Sequence, residues 1–281
     1  MFFAGNEFIM EKKVAVITSV YKSDTYPFVK QAIESLINQT YTNIDIFIQV
    51  DGWVPDDVNQ LLVGYGFHNN IHVYFHRENK GLAARLNNSI DHVVRLGIYD
   101  YVARMDTDDI SCSNRIKTQV DFLNSHENID VVGSDVIEIS GTGQTKFYKK
   151  MDSEHDMMKK MIIKKCPFNH PSVMFRVNVF EEGFRYNASL MNTQDYYLWV
   201  DLLFAGKRFS NINEPLLMFR VNDDFHTRRG LKKAINDLNA RLYAFKKLNV
   251  TSLGNITHTL LLFFLRLSPS IVKKMAYKLL R

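Results

Sequence analysis

A β-rich run followed by a helical stripe recurs four times within the first 125 residues, and few folds accommodate that alternation. Val14–Ser19, Ile44–Val50, Ile71–Phe75 and Tyr101–Met105 read as strands, being short, apolar and rich in β-branched or aromatic side chains. Between and after them, Phe28–Ile37, Val58–Leu62, Gly81–Leu96 and Arg115–Asn124 carry apolar residues at helical spacing. Strand–helix–strand units of this kind predict an α/β fold whose central sheet is mainly parallel and covered by helices. Ligands of such sheets sit beyond the carboxyl ends of the strands. The loops after Ser19, Val50 and Met105 are therefore expected along one edge, bringing Tyr21, Asp51, Asp106 and Asp108 together. Val131–Ile139 reads as a further strand. From about Gly141 the pattern loosens, with helices expected near Met157–Lys164, Tyr196–Phe204 and Leu231–Lys247. No internal repeat or low-complexity linker interrupts the chain.

Charge divides the chain unevenly. Residues 225–281 hold 12 Lys/Arg against one acid, Asp237, for +11; residues 1–224 hold 23 against 29, for −6. A basic tail on an acidic body suggests contact with an anionic surface. Leu260–Leu265 (LLLFFL) precedes a helix candidate in which Ile271, Val272, Met275 and Leu279 share one side and Lys273, Lys274, Lys278 and Arg281 the other. That layout suits a helix lying among lipid headgroups; a helix docked on the protein's own core with a solvated Lys face is the alternative. Nucleic acid is not expected as a partner, because no recognised binding module accompanies the tail. No run of about 18 apolar residues suggests a membrane span. Met1–Met10 lacks the basic region of a signal peptide. Cys112 and Cys166 form no paired motif, which excludes a zinc module or disulfide scaffold and fits a reducing, cytosolic setting.

The densest chemical signal is Asp106-Thr107-Asp108-Asp109, directly after the fourth strand. Carboxylates this close repel one another unless a cation or hydrogen-bond donors satisfy them. Oxygen donors beside a phosphate suit Mg²⁺ or Mn²⁺. The plain alternative is a solvated acidic turn, or Asp109 capping the helix that carries Arg115. An EF-hand needs glycine at its sixth loop position, where this chain has Ser111. Neither GxGxxG nor GxxxxGK[ST] occurs, so the dinucleotide and P-loop readings lack their fingerprints.

Motif order narrows the reading. Val14–Tyr21, Asn38-Gln39-Thr40-Tyr41, Ile44–Gly52, Asn79-Lys80-Gly81-Leu82-Ala83-Ala84, then Arg104–Asp109 follow one another. This resembles the family 2 glycosyltransferases of GT-A fold, inverting nucleotide-sugar enzymes of bacterial polysaccharide assembly. The likeness covers roughly residues 12–225. It looks most like O-antigen and exopolysaccharide hexosyltransferases acting on undecaprenyl-diphosphate-linked sugars. The resemblance implies that Thr18 and Tyr21 lie near the nucleotide, that Asp51 meets the uracil, and that Asp106 lies near the ribose and diphosphate. It implies Asp108 as the metal-binding acid. Gln194-Asp195-Tyr196 resembles the family's Glu-Asp motif, with Asp195 as catalytic base at a helix start, where the helix dipole would favour its ionised form. It further implies His170 on the acceptor side and a basic segment, His226-Thr227-Arg228-Arg229, closing over the diphosphate, with His226 joining Asp108 at the metal. Each position keeps a plainer alternative: Asp51 a turn residue before Gly52, Tyr21 packed on the sheet edge, Asp195 an N-cap, His170 a buried hydrogen-bonded histidine.

The chain departs from the family pattern at three places. Val50-Asp51-Gly52-Trp53 stands where Asp-Asp-Gly-Ser is common, Gln194 replaces Glu, and Leu86 occupies a frequent Arg position. Arg85, one place earlier, reads as a surface salt bridge. The expectation is a catalytic domain over residues 1–225 and a basic helical extension over 226–281. A UDP-sugar would be the donor, an undecaprenyl-diphosphate-linked sugar the acceptor, Mn²⁺ or Mg²⁺ the cofactor, and the cytoplasmic face of the inner membrane the location. A metal-dependent nucleotide phosphohydrolase and a catalytically silent sugar-nucleotide scaffold are the alternatives.

Overall fold

The computed structural model describes residues 11–190, 192–221 and 231–268. In its first half, strands β1 (Val14–Val20), β2 (Ile44–Asp51), β3 (Ile71–His76) and β4 (Tyr101–Arg104) alternate with helices α1 (Tyr26–Ile37), α2 (Asp56–Tyr65), α3 (Leu82–Leu96) and α4 (Arg115–Ser125). The four strands lie in the order β3-β2-β1-β4, and all are parallel. β1 is almost wholly buried, as a strand covered on both faces must be. Its side chains alternate between two cores, following the two-residue period of a strand. Val14 and Val16 pack with α1, α2 and α4 through Val29, Ile33, Val58, Leu62 and Ile116. Ala15 and Ile17 pack on the other face with Leu86 and Ile90 of α3.

The second half extends the same sheet. β5 (Ile110–Ser111), β6 (Val131–Ile139), β7 (Thr145–Lys149), β8 (Met174–Arg176) and β9 (Phe209–Arg220) complete the order β3-β2-β1-β4-β8-β6-β9-β5, with β7 on β6. β8 runs antiparallel to β4 and β6, whereas β9 runs parallel to β6 over its whole length. Among the described residues four strand pairs are parallel and four antiparallel; the parallel ladders cover more residues, and every antiparallel pair involves a strand of the second half. β9 was not foreseen from sequence. Asn213, Glu214 and Pro215 break its apolar pattern, and Pro215 sits where the β6–β9 register shifts. A bulge tolerates the missing N–H there.

Of the remaining helices, α5 (His155–Met161) begins and ends earlier than expected. α6 (Asn178–Glu181) is a single turn, and α7 (Gln194–Phe204) starts two residues sooner than the apolar stripe. α8 (Leu231–Leu248) joins the second core through Ala240 and Ala244 beside Leu198 and Trp199 of α7. It is tied further by Lys247 Nζ donating to Asp201 at 2.5 Å. α9 (Leu253–Leu267) contains the LLLFFL run and begins at Ser252, whose hydroxyl accepts the Asn255 N–H at 3.2 Å. No helix among the described residues is long and apolar enough to cross a membrane. Residues 1–10 and the basic helix candidate at 271–281 lie outside the described residues.

Candidate active site

The carboxyl ends of β1, β2 and β4 open into one cavity of about 750 Å³. Ser19 and Tyr21, Asp51, and Asp106 with Asp108 line it from the sheet, as strand order predicts; Asn192, Thr193 and Gln194 line it from the start of α7. A cavity of this size suits a ligand as large as a nucleotide sugar.

Asp51 is 2% exposed and its charge is met from within the protein. One carboxylate oxygen accepts the Lys80 N–H at 2.8 Å and Arg85 Nε at 2.6 Å; the other accepts the Gly81 N–H at 2.8 Å. Gly81, with φ +85°, precedes the first turn of α3, and this conformation turns successive N–H groups toward the carboxylate. Gly52 is needed for a different reason: a Cβ there would stand 3.0 Å from the Asn79 nitrogen. The Asp51–Arg85 pair is buried, which corrects the expectation of a surface salt bridge. The reason is topological, since β2 and the first turn of α3 meet beneath the loop after β3.

The three acids after β4 can each present an oxygen within 4.8 Å of the others. Two arginines hold the loop. Arg104, buried at the end of β4, pairs through Nη2 with Asp106, while its Nε and Nη1 have no partner among the described residues. Arg220, at the end of β9, donates its N–H to Asp109 and its Nε to the Asp108 carbonyl, each at 2.8 Å. Asp109 does not cap α4; β5 and Asn114 intervene, and its side chain turns to β9. Burial raises the pKa of Asp108 and Asp109, and their acidic neighbours raise both further. The second oxygen of Asp109 is buried with no partner among the described residues. Clustered hard oxygen donors whose protonation is favoured by mutual repulsion fit a divalent cation such as Mg²⁺ or Mn²⁺.

Asp24 joins this group and was missed from sequence. It accepts the Tyr21 N–H at 2.8 Å and the Thr107 hydroxyl at 3.1 Å. Burial pushes its pKa up to about 7, with Asp108 and Asp106 adding repulsion. Nothing in the local pattern Lys22-Ser23-Asp24 announces this, because the partner loop lies more than 80 residues away.

Asp195 occupies the second position of α7, beside the cavity wall that Gln194 forms. Burial raises its pKa; the Tyr196 backbone N–H and the Arg104 charge pull it back without reversing the shift. The helix-start position was expected to favour ionisation, and desolvation outweighs it. A carboxylate raised in this way stands nearer to working pH, as a general base requires. Thr193, directly before, holds φ +64° although it is β-branched, a strained conformation that tertiary packing must impose.

The other expected residues spread outward. Thr18 is buried on β1 and does not line the cavity; its hydroxyl has no partner among the described residues. Tyr21 is 41% exposed at the rim. His170 stands outside the lining, with Nε2 2.8 Å from the Tyr186 hydroxyl. Burial, with a smaller contribution from Arg104, pushes its pKa down and keeps the ring neutral. The Tyr186 backbone is clamped by Asn87, which donates to its carbonyl at 2.8 Å and accepts its N–H at 3.0 Å. His226, Arg228 and Arg229 lie outside the described residues.

Known proteins resemble this chain in sequence and fold. Residues 15–184 match glycosyl transferase family 2. The chain is 28% identical over 269 residues to the Escherichia coli UDP-Gal:alpha-D-GlcNAc-diphosphoundecaprenol beta-1,3-galactosyltransferase, covering 95% of each. It is 27% identical over 270 residues to the amylovoran biosynthesis glycosyltransferase AmsE of Erwinia amylovora, covering 94% of this chain and 97% of that one. Staphylococcus aureus TarS 1–349, solved in complex with UDP-GlcNAc, superposes with a TM-score of 0.63 at 14% identity, covering 92% of this chain and 82% of that one. That likeness shows a shared GT-A fold. With the family match covering more than half of its length, the chain belongs to glycosyl transferase family 2 and is a glycosyltransferase.

Proposed function

We propose that this enzyme transfers a hexose, with inversion, from a UDP-sugar to an undecaprenyl-diphosphate-linked sugar during O-antigen or exopolysaccharide assembly. The observation that carries this reading is that one cavity is lined both by the Asp106–Asp108 loop and by Gln194 at the start of α7, with Asp195 next in that helix. Asp195 would take the proton of the acceptor hydroxyl as its oxygen attacks the anomeric carbon and the bond to UDP breaks. Thr18, Tyr21, Asp51 and Asp106, with Arg228 and Arg229, are assigned to the nucleotide and diphosphate, and His170 to the acceptor side. Asp108, with His226, is assigned to Mn²⁺ or Mg²⁺, and Asp109 offers a further oxygen. A bound cation supplies Lewis-acid neutralisation of the departing diphosphate. The galactosyltransferase relative, whose name carries a UDP-sugar and a diphosphoundecaprenol-linked sugar, supports the class of donor and acceptor, and the amylovoran relative supports polysaccharide assembly.

The test is UDP release from UDP-glucose, UDP-galactose, UDP-GlcNAc and UDP-GalNAc, with and without Mn²⁺, using a GlcNAc-diphosphate-lipid analogue as acceptor. Release with one donor that depends on both metal and acceptor is expected. Asp108→Ala should lower it on the order of a hundredfold by removing charge stabilisation of the leaving group. Phosphate release without an acceptor would instead indicate a phosphohydrolase, and UDP binding without turnover a silent scaffold.

Residues 226–281 are assigned to the cytoplasmic face of the inner membrane, beyond a catalytic domain over residues 1–225. Support comes from α9, whose Leu253, Ile256, Leu260, Phe264 and Leu267 form one exposed stripe, followed in sequence by four Lys/Arg and no acid. Leu260→Asp with Phe264→Asp should reduce binding to phosphatidylglycerol-containing vesicles by about tenfold or more in a sedimentation assay. Unchanged binding would remove α9 from the contact.

A further inference from the structure

Helices α8 and α9 form a hairpin, and α8 carries an exposed apolar face that nothing above assigns. The helices are joined through residues 249–252, and Asp237 of α8 pairs with Arg266 of α9, so they run antiparallel. Ala234, Asp237 and Arg241 meet Thr259, Phe263 and Arg266 across the contact. On α8, Ile235 and Leu242 each follow a contact residue by one position, and both are exposed. On α9, Leu260, Phe264 and Leu267 do the same. One position turns a side chain by about 100° around a helix. In antiparallel helices, rotation of the same sense beyond the contact line leads to the same side of the pair. The two stripes therefore share one face, which Leu231 and Leu253 extend at the two helix starts.

Residues one position before the contact point the other way, toward the catalytic body. Ala240 precedes Arg241 and belongs to the core that holds Leu198 and Trp199 of α7. His258 precedes Thr259 and meets the Lys164 backbone. The apolar face thus looks away from the body.

Charge says what covers it. Asp237 is the only acid in residues 225–281, and its side chain, 8% exposed, is held by Arg266 inside the hairpin. Among the described residues, α8 and α9 therefore expose no carboxylate, whereas Lys246 is exposed near the end of α8. Residues 269–281, directly after α9, add four Lys/Arg and no acid. An apolar band accompanied by cations fits a bilayer with anionic headgroups. Twofold pairing through the same face would instead set these cations against their own copies.

We propose that α8 and α9 together form a platform that lies flat on an anionic bilayer and holds the cavity at a fixed attitude to it. The inference rests on the membrane reading above and adds α8 and its link to the site. That link is α7. Tyr197 and Tyr243 pack with ring centroids 4.7 Å apart, Lys247 reaches Asp201 at 2.5 Å, and Gln194 at the start of α7 lines the cavity. A lipid-linked acceptor then meets the site without leaving the bilayer.

The test uses the full chain carrying Ile235→Gln with Leu242→Gln. The pair keeps net charge and helix propensity, and both sites are exposed, so Tm should stay within about 2 °C of wild type. Sedimentation with phosphatidylglycerol vesicles should show about tenfold weaker binding. Turnover of a GlcNAc-diphosphate-lipid acceptor embedded in those vesicles should fall about tenfold, and turnover of the same acceptor in detergent should stay within about twofold. Unchanged vesicle binding in this pair, with binding lost in Leu260→Asp with Phe264→Asp, would leave α9 as the contact and overturn the proposal. So would an equal fall of turnover in vesicles and detergent. A wild-type dimer in sedimentation velocity that the α8 pair splits, with vesicle binding retained, would assign the face to a second copy. A wild type that does not bind the vesicles would strike the membrane reading itself, and the proposal with it.

Discussion

Asp195→Asn is expected to lower kcat by roughly 10²- to 10⁴-fold, the range that a positioned general base contributes. The substitution preserves shape and removes only the ability to take a proton. Asp195 does not line the cavity itself, so UDP affinity measured by calorimetry should stay near wild type. The wild-type pH profile supplies a second readout. The base must be ionised to act, and burial raises its pKa above the ordinary carboxylate value of 3.8. Activity should therefore fall as pH drops through a midpoint above that value. The positive charge of Arg104 favours the ionised form. Arg104→Met should accordingly move the acidic limb to still higher pH. If Asp195→Asn turned over at the wild-type rate, the base would have to be sought elsewhere.

Arg85→Ala is expected to cost about 3–5 kcal/mol of stability, the range seen when one partner of a buried ion pair is removed. For a chain of this size that corresponds to a fall in Tm on the order of 10 °C, measurable by circular dichroism. Both side chains are at most 4% exposed, so water cannot replace the lost partner. Arg85 also donates to Asn88 at 3.1 Å and to the Glu78 carbonyl, so the loop between β3 and α3 loses several ties at once. Arg85→Lys should fall between the two, because an ammonium keeps the charge but not the planar fork. A Tm within 2 °C of wild type for Arg85→Ala would show that the two backbone N–H groups alone hold Asp51.

Both predictions turn on residues whose types were visible and whose surroundings were not. Asp195 stood out because Gln194-Asp195-Tyr196, which opens a helical pattern, resembles the family's Glu-Asp motif. The direction of its pKa shift did not, since the helix start alone favours ionisation while burial does the opposite and outweighs the Arg104 charge. Arg85 was visible as a charge on α3 and misplaced to the surface. Helical periodicity assigns a face to a residue, but not the strand end that the face meets. Asp24, Arg104 and Arg220 belong to the same class. Arg220 reaches Asp109 across 111 residues and stacks 4.2 Å above the Phe28 ring, a meeting that no local window contains.

By itself, the order of residues determined the parallel half of the sheet and the edge on which the site forms. Those follow from periodicities of two and of 3.6 residues, which are local, and from the rule that parallel strands place their carboxyl ends together. Asp51, Asp106 and Asp108 were legible for that reason. Tertiary structure alone decided the second half. β9 is a strand only because β6 lies alongside, and its Pro215 persists because the register shifts there. It also decided which charges are spent and which are left open. Asp51 is met by Arg85 and two N–H groups, whereas Asp109 keeps one buried oxygen with no partner among the described residues. Hydrogen-bond satisfaction depends on partners brought together by folding from distant parts of the chain, and sequence spacing carries no record of it.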